Sequence, residues 1–379
     1  MSNRQANASV IWTLSGGGSC RTGRFPLPVR PASRPARRIS AHGALHASVV
    51  FDNQGRCFVA DMAGWIQAFS AQGKLLWQSQ LDGGISGTPA VDLARDSIYL
   101  GTHHGSVFAL RNSDGAVLWK QTLPTTTDGR IMADLLLAAP QGWLVVSSWG
   151  GKFHAIETSS GAIAHSWDAG FTPQSGASAD GQGNLYFLRA VKGGGVLLVR
   201  ISPTGLETIL HRQPEGNREA RRTIVVASPV LDEMTRTIYW VANQEQEGVL
   251  LACSMDDDQI RWQQRFPRAI VATPALGANG QIWVADLDGA VRLLQSDGSL
   301  RASYSTGADY LLAGPVTDAD GQAWIADPLG QLHALDSRGR GRIVYEAPRS
   351  IQARPAFDRE GNLYVATTDP KVLVFQNRA

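Results

Sequence analysis

The chain of 379 residues has few cysteines, little net charge and no long apolar run. Its three cysteines, Cys20, Cys57 and Cys253, form neither an adjacent pair nor a CxxC motif, so they do not indicate a disulfide framework. The net charge of +2 does not fit a protein that is basic as a whole, and we expect no nucleic-acid partner. No stretch of about 18 apolar residues occurs, so no transmembrane segment is expected. The sparse cysteines favour a reducing compartment, and we expect a cytoplasmic location, with the periplasm as the alternative.

Motifs of several enzyme classes are missing as well. The sequence contains no nucleophile elbow, no HExxH zinc motif and no P-loop. Apolar residues do not recur at helical spacing over any long stretch, so the chain is expected to be all-β. Whether it is an enzyme therefore stays open at this level.

Glycine and tryptophan, by contrast, are abundant, and they belong to an internal repeat. The chain has 40 glycines and 11 tryptophans. Residues 58–69 align with residues 99–110, with an identical central glycine and an identical late alanine. The pattern recurs every 40 to 53 residues, and its anchor positions are Phe58, Tyr99, Val145, Tyr186, Tyr239, Trp283, Trp324 and Tyr364.

Each repeat unit contains four short apolar segments separated by turn residues. In the second unit these segments are 88–92, 97–101, 106–110 and 116–120, with Gly105 and Gly115 in the turns between them. Four strands in about 40 residues is the period of a propeller blade. We therefore predict one all-β domain over residues 1–379, a single eight-bladed β-propeller with blades 1 to 8 in residues 44–379.

The eighth unit ends one strand short, so we expect a strand from the N-terminus to close the ring. Residues 8–14 resemble the outer strands of other units, with Trp12 at the place of Trp77, Trp119 and Trp262. Closure removes two exposed strand edges. We predict residues 8–14 as the closing strand of blade 8, and for this reason we reject a secretion signal that would be cleaved near Cys20.

The repeat resembles that of the quinoprotein-like, or PQQ-like, β-propeller superfamily. The resemblance rests on an alanine, a turn glycine and a tryptophan four residues after it, which here are Ala109, Gly115 and Trp119. It implies an eight-bladed propeller in which Trp12, Trp77, Trp119 and Trp262 are structural residues packed between blades. It also suggests pyrroloquinoline quinone (PQQ) as a cofactor. The adjacent cysteine pair, long insertions and calcium-binding residues of the quinone-dependent dehydrogenases are absent, so we expect no cofactor, with PQQ or a divalent metal as the alternative.

Candidate ligand residues fall in the loops that a propeller gathers around one mouth of its central channel. Charged and aromatic residues are frequent there, and the candidates are His46, His103, His104, Asp134, Trp149, Lys152, Arg189, Asp286, Asp327 and Arg354. Two alternatives stay open. The aspartates at the shared repeat position of Asp61 could simply cap their own turns, and the two adjacent histidines could be solvated turn residues.

Residues 18–42 form an arginine- and proline-rich segment without an acidic residue. Four prolines make it extended, and we predict a linker. A linker without a partner, docking on an acidic protein or membrane surface, and contact with nucleic acid are the three alternatives. The candidate docking residues are Arg30, Arg34, Arg37 and Arg38.

Taken together, these features favour a non-catalytic scaffold that mediates protein–protein interaction or regulation. We expect a protein partner and a monomeric state. The alternative is an enzyme or small-ligand-binding protein, for example a biosynthetic accessory protein or a PQQ-type oxidoreductase, with its small-molecule site at the channel mouth.

Overall fold

The computed structural model describes residues 11–124, 128–170, 174–191, 195–213, 225–243 and 246–379. In these residues the chain forms eight four-stranded antiparallel sheets, which confirms the predicted eight-bladed propeller. Blades 1 to 4 are β2 (Val50–Phe51), β3 (Cys57–Ala60), β4 (Trp65–Phe69), β5 (Leu75–Gln80); β6 (Ala90–Asp92), β7 (Ser97–Gly101), β8 (Ser106–Arg111), β9 (Val117–Thr122); β10 (Leu136–Ala138), β11 (Trp143–Ser148), β12 (Lys152–Glu157), β13 (Ile163–Asp168); β14 (Ser178–Ala179), β15 (Leu185–Ala190), β16 (Val196–Ile201), β17 (Glu207–Gln213).

The remaining blades follow the same plan. Blades 5 to 8 are β18 (Val230–Asp232), β19 (Thr237–Val241), β20 (Gly248–Ser254), β21 (Ile260–Phe266); β22 (Ala275–Leu276), β23 (Ile282–Ala285), β24 (Ala290–Leu294), β25 (Leu300–Ser305); β26 (Val316–Thr317), β27 (Ala323–Ala326), β28 (Gln331–Leu335), β29 (Gly341–Glu346); β30 (Ala356–Phe357), β31 (Leu363–Thr367), β32 (Lys371–Phe375), β1 (Arg37–Ser40). Two short 3₁₀ helices, Ala139–Gln141 and Ala278–Gly280, complete the described elements. Neither is long or apolar enough to cross a membrane, and the described residues contain no other helix.

The core lies between the blades rather than inside any one of them. The strands nearest the channel are buried on both faces, whereas the outermost strands, such as β9, are mostly exposed. Buried side chains of blade 1, such as Phe58 and Ile66, pack with Ile98 and Leu100 of blade 2. Each blade is therefore stabilised by its neighbours, as expected for a repeat whose single unit cannot bury both faces.

The closing strand of blade 8 is β1, not residues 8–14. Arg37 pairs with Val374 and Ser40 with Lys371, so β1 is the outermost strand of the last sheet. Residues 8–10 lie outside the described residues, and residues 11–14 form no strand. Trp12 faces inward instead: its ring is 1% exposed and meets Phe357 edge-on at 5.5 Å between centroids. The apolar pattern around Trp12 resembles that of an outer strand, but Trp12 packs in the core near the channel.

Residues 12–25 run along the channel side of the inner strands. The inner strand of a blade has an edge that faces the channel, and its N–H groups need acceptors. Carbonyl groups of this segment accept hydrogen bonds from amides of the inner strands of six blades. With the amide donor first and the carbonyl acceptor second, the pairs are Phe51 and Trp12, Val91 and Thr13, Ala179 and Ser19, Leu231 and Cys20, Leu276 and Thr22, and Thr317 and Gly23. We call residues 12–25 the channel segment.

The chain leaves the channel across blades 7 and 8. The amide of Val29 donates to Asp318, and the amides of Ala32 and Ala36 donate to carbonyls of the last blade before β1 begins. The prediction of a simple linker over residues 18–42 was therefore wrong. Its first part pairs with the channel-facing edges of the inner strands, and its last part, β1, pairs with the outer edge of β32. Both kinds of edge would otherwise lack hydrogen-bond partners.

Candidate functional site

All eight blades contribute to one cavity of about 180 Å³ at the channel mouth. The contributing loop precedes the inner strand of each blade and places an outer and an inner position on the channel, except in blade 2, where only the inner position lines the cavity. The outer positions, here named the upper ring, include His46, Met132, Gln174, Val226, Val271, Leu312 and Gln352. The inner positions, the lower ring, are Ser48, Thr88, Asp134, Gly176, Ser228, Thr273, Gly314 and Arg354. Ser15 of the channel segment also lines the cavity.

Hydrogen bonds join neighbouring members of the lower ring. The amide of Ser48 donates to the Thr88 hydroxyl at 3.2 Å, and the amide of Thr88 donates to Oδ1 of Asp134 at 2.8 Å. On the far side, the amide of Ser228 donates to the Thr273 hydroxyl at 3.0 Å. Each side chain thus fixes the loop of the preceding blade, so the lower ring is held by side chains of adjacent blades.

Two glycines interrupt the lower ring, and an arginine fills the space beside each of them. Arg21 of the channel segment donates to the carbonyls of Ala177, Asp134 and Leu135 at 2.7 to 3.1 Å. A Cβ on Gly176 would lie 2.7 Å from Nη2 of Arg21, so a larger residue would displace the guanidinium. Glycine at this position is therefore what admits the arginine.

Arg354 has the equivalent arrangement on the other side of the ring. Its guanidinium donates to the carbonyls of Pro315 and Pro274 at 2.8 to 3.2 Å. A Cβ on Gly314 would lie 2.4 Å from the carbonyl oxygen of Thr273 and 3.3 Å from Nε of Arg354, so the backbone of blade 6 is the closer constraint at this glycine. Burial lowers the pKa of Arg354 to about 10, with Asp134 acting against this shift and Arg21 adding to it. The two buried cations therefore influence each other across the channel.

The predicted site residues divide between this cavity and other places. His46, Asp134 and Arg354 line the cavity together. His103 lies beside the rim, with Nε2 2.8 Å from the Ser86 hydroxyl, whereas His104 is exposed. Burial lowers the pKa of His46, and burial followed by the charge of Arg130 lowers that of His103. Both imidazoles are consequently neutral near pH 7.

Three further candidates lie away from the cavity lining. Trp149 is half-buried beneath the guanidinium of Arg130, at 4.3 Å from the ring centroid. Arg189 binds both carboxylate oxygens of Glu207, at 2.9 and 2.7 Å. Lys152 is exposed at the start of β12. The structure does not bring these three into the cavity.

Asp286 and Asp327 are fully buried caps of their own turns. Oδ1 of Asp286 accepts hydrogen bonds from the amides of Asp288 and Ala290. Oδ1 of Asp327 accepts one from Gln331 at 2.8 Å, and its Oδ2 lies 2.9 Å from Nε2 of the buried His333. These contacts match the turn-capping alternative and leave neither carboxylate facing the cavity.

The four arginines proposed for partner docking have different surroundings. Arg30 forms an ion pair with Asp320 at 2.7 Å, across to blade 7. Arg37 is half-buried in the closing strand, while Arg34 and Arg38 are exposed. Arg37 faces Val374 at the register where Trp77 faces Ala68 in blade 1, so it takes the place that we had predicted for Trp12.

The tryptophans of the repeat donate hydrogen bonds to the next blade. Nε1 of Trp77 donates to the carbonyl of Asn112 at 2.8 Å, Nε1 of Trp119 to that of Thr158 at 2.9 Å, and Nε1 of Trp262 to that of Ser296 at 2.9 Å. Nε1 of the buried Trp12 has no hydrogen-bond partner among the described residues. The first three residues thus link adjacent blades, and Trp12 differs from them.

Sequence reasoning missed Arg21, the lower-ring hydroxyls and the apolar side chains of the upper ring. The sequence does contain a signal for the two rings. Each inner strand is preceded by a four-residue pattern in which the first residue is apolar and the third is small, as in Leu45 to Ser48, and the second and fourth residues are the ring positions. No comparable signal marks Arg21, whose burial depends on glycines in distant blades.

A quinone cofactor with a metal ion does not fit the described lining. A calcium ion takes six to eight oxygen ligands, usually with several carboxylates, and among the described residues that line the cavity Asp134 is the only carboxylate. The described part of the chain contains no group of three or more His, Cys, Asp or Glu side chains placed to hold a metal ion. The nitrogens Nε and Nη2 of Arg354 are already engaged by backbone carbonyls.

Comparisons with known proteins agree with the architecture. The structure of BamB from Moraxella catarrhalis superposes with a TM-score of 0.70 at 18% identity, over 91% of this chain and 97% of that one. A europium-containing methanol dehydrogenase superposes with a TM-score of 0.78 at 14% identity, over 95% of this chain and 90% of that one. At these identities the likeness concerns the fold alone. No curated protein sequence matches the chain significantly.

A family model gives the sequence relationship. The model described as outer membrane protein assembly factor BamB matches residues 8–122 and 103–235, together more than half of the chain. The matched region contains the first four blades and the complete channel segment. With its eight blades of PQQ-like repeats, the chain belongs to this BamB family within the PQQ-like propeller superfamily.

Proposed function

We propose that this protein is a non-catalytic scaffold that holds a protein partner on the channel-mouth face of the propeller. The observation that carries the proposal is the closed channel. Hydrogen bonds from six blades hold the channel segment in place, and the cavity above it has about 180 Å³. Small-molecule sites usually have about 300–1,000 Å³. The mouth is therefore too small to enclose a drug-sized substrate, and it suits contact with the surface of a partner.

Apolar side chains on the same face support a protein partner. Leu312 lines the cavity and is 43% exposed, and Tyr310, two residues earlier, is 39% exposed. Leu329 is 57% exposed and lies in the turn that begins at Asp327. The carbonyl of Asp327 accepts a hydrogen bond from the amide of Ile351, the residue before Gln352 of the upper ring, so this turn is close to the mouth. These three side chains supply apolar surface around the cavity for a partner to contact. The family description, an assembly factor for other proteins, supports the same role.

A monomeric state and a cytoplasmic location belong to the proposal. The three cysteines are unpaired, which suits a reducing compartment. The strand that closes blade 8 is β1, so closure of the ring gives no reason to exclude cleavage of a secretion signal near Cys20. Residues 12–20 nevertheless have a role inside the channel. Separation of cytoplasmic and periplasmic fractions, followed by immunodetection, tests the location directly.

A photo-crosslinking amino acid at Leu312 or Leu329 tests the docking face. Leu300 and Leu118, 52% and 43% exposed on outer strands, are matched controls. We expect one partner to be crosslinked from the first two positions and not from the controls, and aspartate at Leu312 to abolish its capture. No adduct from the mouth positions, or the same adduct from Leu300, would contradict the proposal.

Deletion of residues 18–42 would not test whether this segment docks a partner, because the deletion also removes Arg21 and the closing strand β1.

The alternative function, a PQQ-type oxidoreductase or small-ligand-binding protein, needs its own assay. The intact protein is incubated with PQQ and either calcium or a lanthanide, and alcohol-dependent dye reduction is measured. Turnover above a heat-treated control would overturn the scaffold proposal, and we expect none.

A further inference from the structure

Two buried arginines place positive charge at the mouth cavity: Arg354 lines it, and Arg21 donates to the carbonyl of Asp134, which also lines it. Arg21 is 1% exposed and Arg354 is 7% exposed. Their Nε and Nη2 atoms donate to backbone carbonyls, which carry only partial charges. A buried cation is costly unless an anion or a full set of hydrogen bonds compensates it.

Compensation within the described residues is incomplete. The nearest carboxylate is Asp134, whose Oδ2 lies 3.7 Å from Nη1 of Arg21 and whose side chain is 29% exposed in the mouth. Nη1 of Arg21 and Nη1 of Arg354 each lack a hydrogen-bond partner among the described residues. Two guanidinium groups thus face one carboxylate, and His46, the histidine in the lining, is neutral near pH 7 because burial lowers its pKa. The balance favours entry of one negative charge.

The walls of the cavity restrict what can carry that charge. Blades 5, 6 and 7 contribute the consecutive apolar upper-ring residues Val226, Val271 and Leu312. Of the other upper-ring residues, His46, Gln174 and Gln352 are polar and Met132 of blade 3 is apolar. The cavity has a volume of about 180 Å³ and is open at the mouth, so it suits a small organic anion.

We propose that the cavity binds a small monocarboxylate, with its charged end towards Arg354 and a short apolar part against Val226, Val271 and Leu312. Nε and Nη2 of Arg354 already donate to backbone carbonyls, so its guanidinium attracts the carboxylate through its charge rather than through a pair of hydrogen bonds. The carboxylate can come from a free organic acid or from the end of a docked polypeptide. The inference goes beyond the scaffold function, since it requires no protein partner.

Butyrate, with six non-hydrogen atoms, is the probe, and its neutral amide butyramide is the matched control. Binding to the intact protein is followed by NMR line shape or by calorimetry at low salt. We expect butyrate to bind at least tenfold more tightly than butyramide. Equal binding of the two compounds would overturn the proposal, and so would chloride that competes as well as butyrate, because that result indicates an adventitious ion only.

Three substitutions locate the site. Asp134→Asn keeps the acceptor for the Thr88 amide but removes the nearest negative charge, and should tighten butyrate binding severalfold. Leu312→Ser should weaken butyrate more than acetate. Arg354→Gln should weaken both at least tenfold. Because Arg354 is buried, its variant requires a folding check by circular dichroism, whereas Asp134→Asn tests the charge argument without removing a buried group.

The control for these variants is Asp336→Asn, which removes a partly exposed carboxylate in a turn between the outer strands of blade 7. If Asp336→Asn and Asp134→Asn change butyrate binding equally, the local charge argument fails.

Acetyl-Ala-Val with a free carboxyl end and the same peptide as an amide distinguish the two sources of the carboxylate, a free organic acid and the end of a polypeptide. Tighter binding of the acid peptide than of butyrate supports a polypeptide end, and the reverse supports a free acid. No preference for the acid in either pair overturns the proposal.

Discussion

Gly161 of blade 3 lies against the indole of Trp119 from blade 2, and a Cβ on Gly161 would stand only 2.8 Å from Cε3 of the ring. Gly298 has the same relationship with Trp262. In the repeat motif, Gly115 and Trp119 belong to one blade, but they contact different neighbours. The glycine accommodates the tryptophan of the preceding blade, while the tryptophan reaches the following blade. The motif thus fixes the contacts on both sides of a blade.

Gly161→Ala should destabilise the protein by about 2–4 kcal/mol, from the clash with Trp119 and from the left-handed backbone. Gly307→Ala is the matched control, because Gly307 has φ +87° against +76° for Gly161, and a Cβ there meets nothing within 4 Å. Urea unfolding of both variants isolates the clash. Equal losses would show that only backbone conformation matters.

Trp119→Ala should lower the free energy of unfolding by about 3 kcal/mol. The change removes packing against Tyr99, at 5.7 Å between centroids, and the hydrogen bond to the Thr158 carbonyl. Leu118→Ala, at the adjacent 43% exposed position, should change it by less than about 0.5 kcal/mol. Thermal unfolding of the two variants makes the comparison, and similar melting temperatures would refute the inter-blade role.

Ile39→Ala should cost about 2–4 kcal/mol, since Ile39 is 4% exposed within the closing strand β1. Arg38→Ala, at the exposed neighbouring position, should be nearly neutral. Denaturant titration gives both values. A neutral effect of Ile39→Ala would mean that residues 37–40 do not close the ring.

A double-mutant cycle tests the packing of the channel segment on blade 8. A Cβ on Gly23 would overlap Nη2 of Arg354 and lie 2.9 Å from Ala275. Gly23→Ala should therefore be destabilising, and less so in an Arg354→Gln background. We expect a coupling free energy of about 0.5–3 kcal/mol. If the losses in the free energy of unfolding are strictly additive, Gly23 and Arg354 do not interact, which contradicts this packing.

His154 should make stability fall in mild acid. Burial, with a smaller effect from Lys152, lowers the pKa of this imidazole to about 4, below its ordinary value of about 6.5. Between pH 6.5 and 4 the unfolded chain therefore binds a proton that the folded protein does not, and stability decreases as the pH falls, by at most about 3 kcal/mol.

His154→Asn should remove this part of the pH dependence, and His104→Asn, at an exposed position, should leave it in place. The free energy of unfolding is measured from pH 7 to pH 4 for both variants and the parent protein. An unchanged slope for His154→Asn would contradict the assignment.

Much of the fold could be predicted because its signals are local. The anchors at 40- to 53-residue spacing identified the eight blades, and glycines such as Gly105 and Gly115 marked turns that the structure shows at positive φ. For the candidate site the prediction reached His46, Asp134 and Arg354. It also gathered Trp149, Lys152 and Arg189, because a loop position in a repeat does not tell whether a side chain points to the channel or away from it.

The sequence by itself determined the number of blades, the strand order within each blade and the placement of Trp77, Trp119 and Trp262 between blades, since all of these follow from patterns within about two repeats. Only the tertiary structure decided which N-terminal residues close the ring. Residues around Trp12 resemble an outer strand more than Arg37–Ser40 do, but β32 pairs with the latter and the channel takes the former. The burial of Arg21 likewise depends on the space beside Gly176, a residue of another blade. Closure and channel filling depend on hydrogen-bond partners and free volume that exist only once the ring has formed.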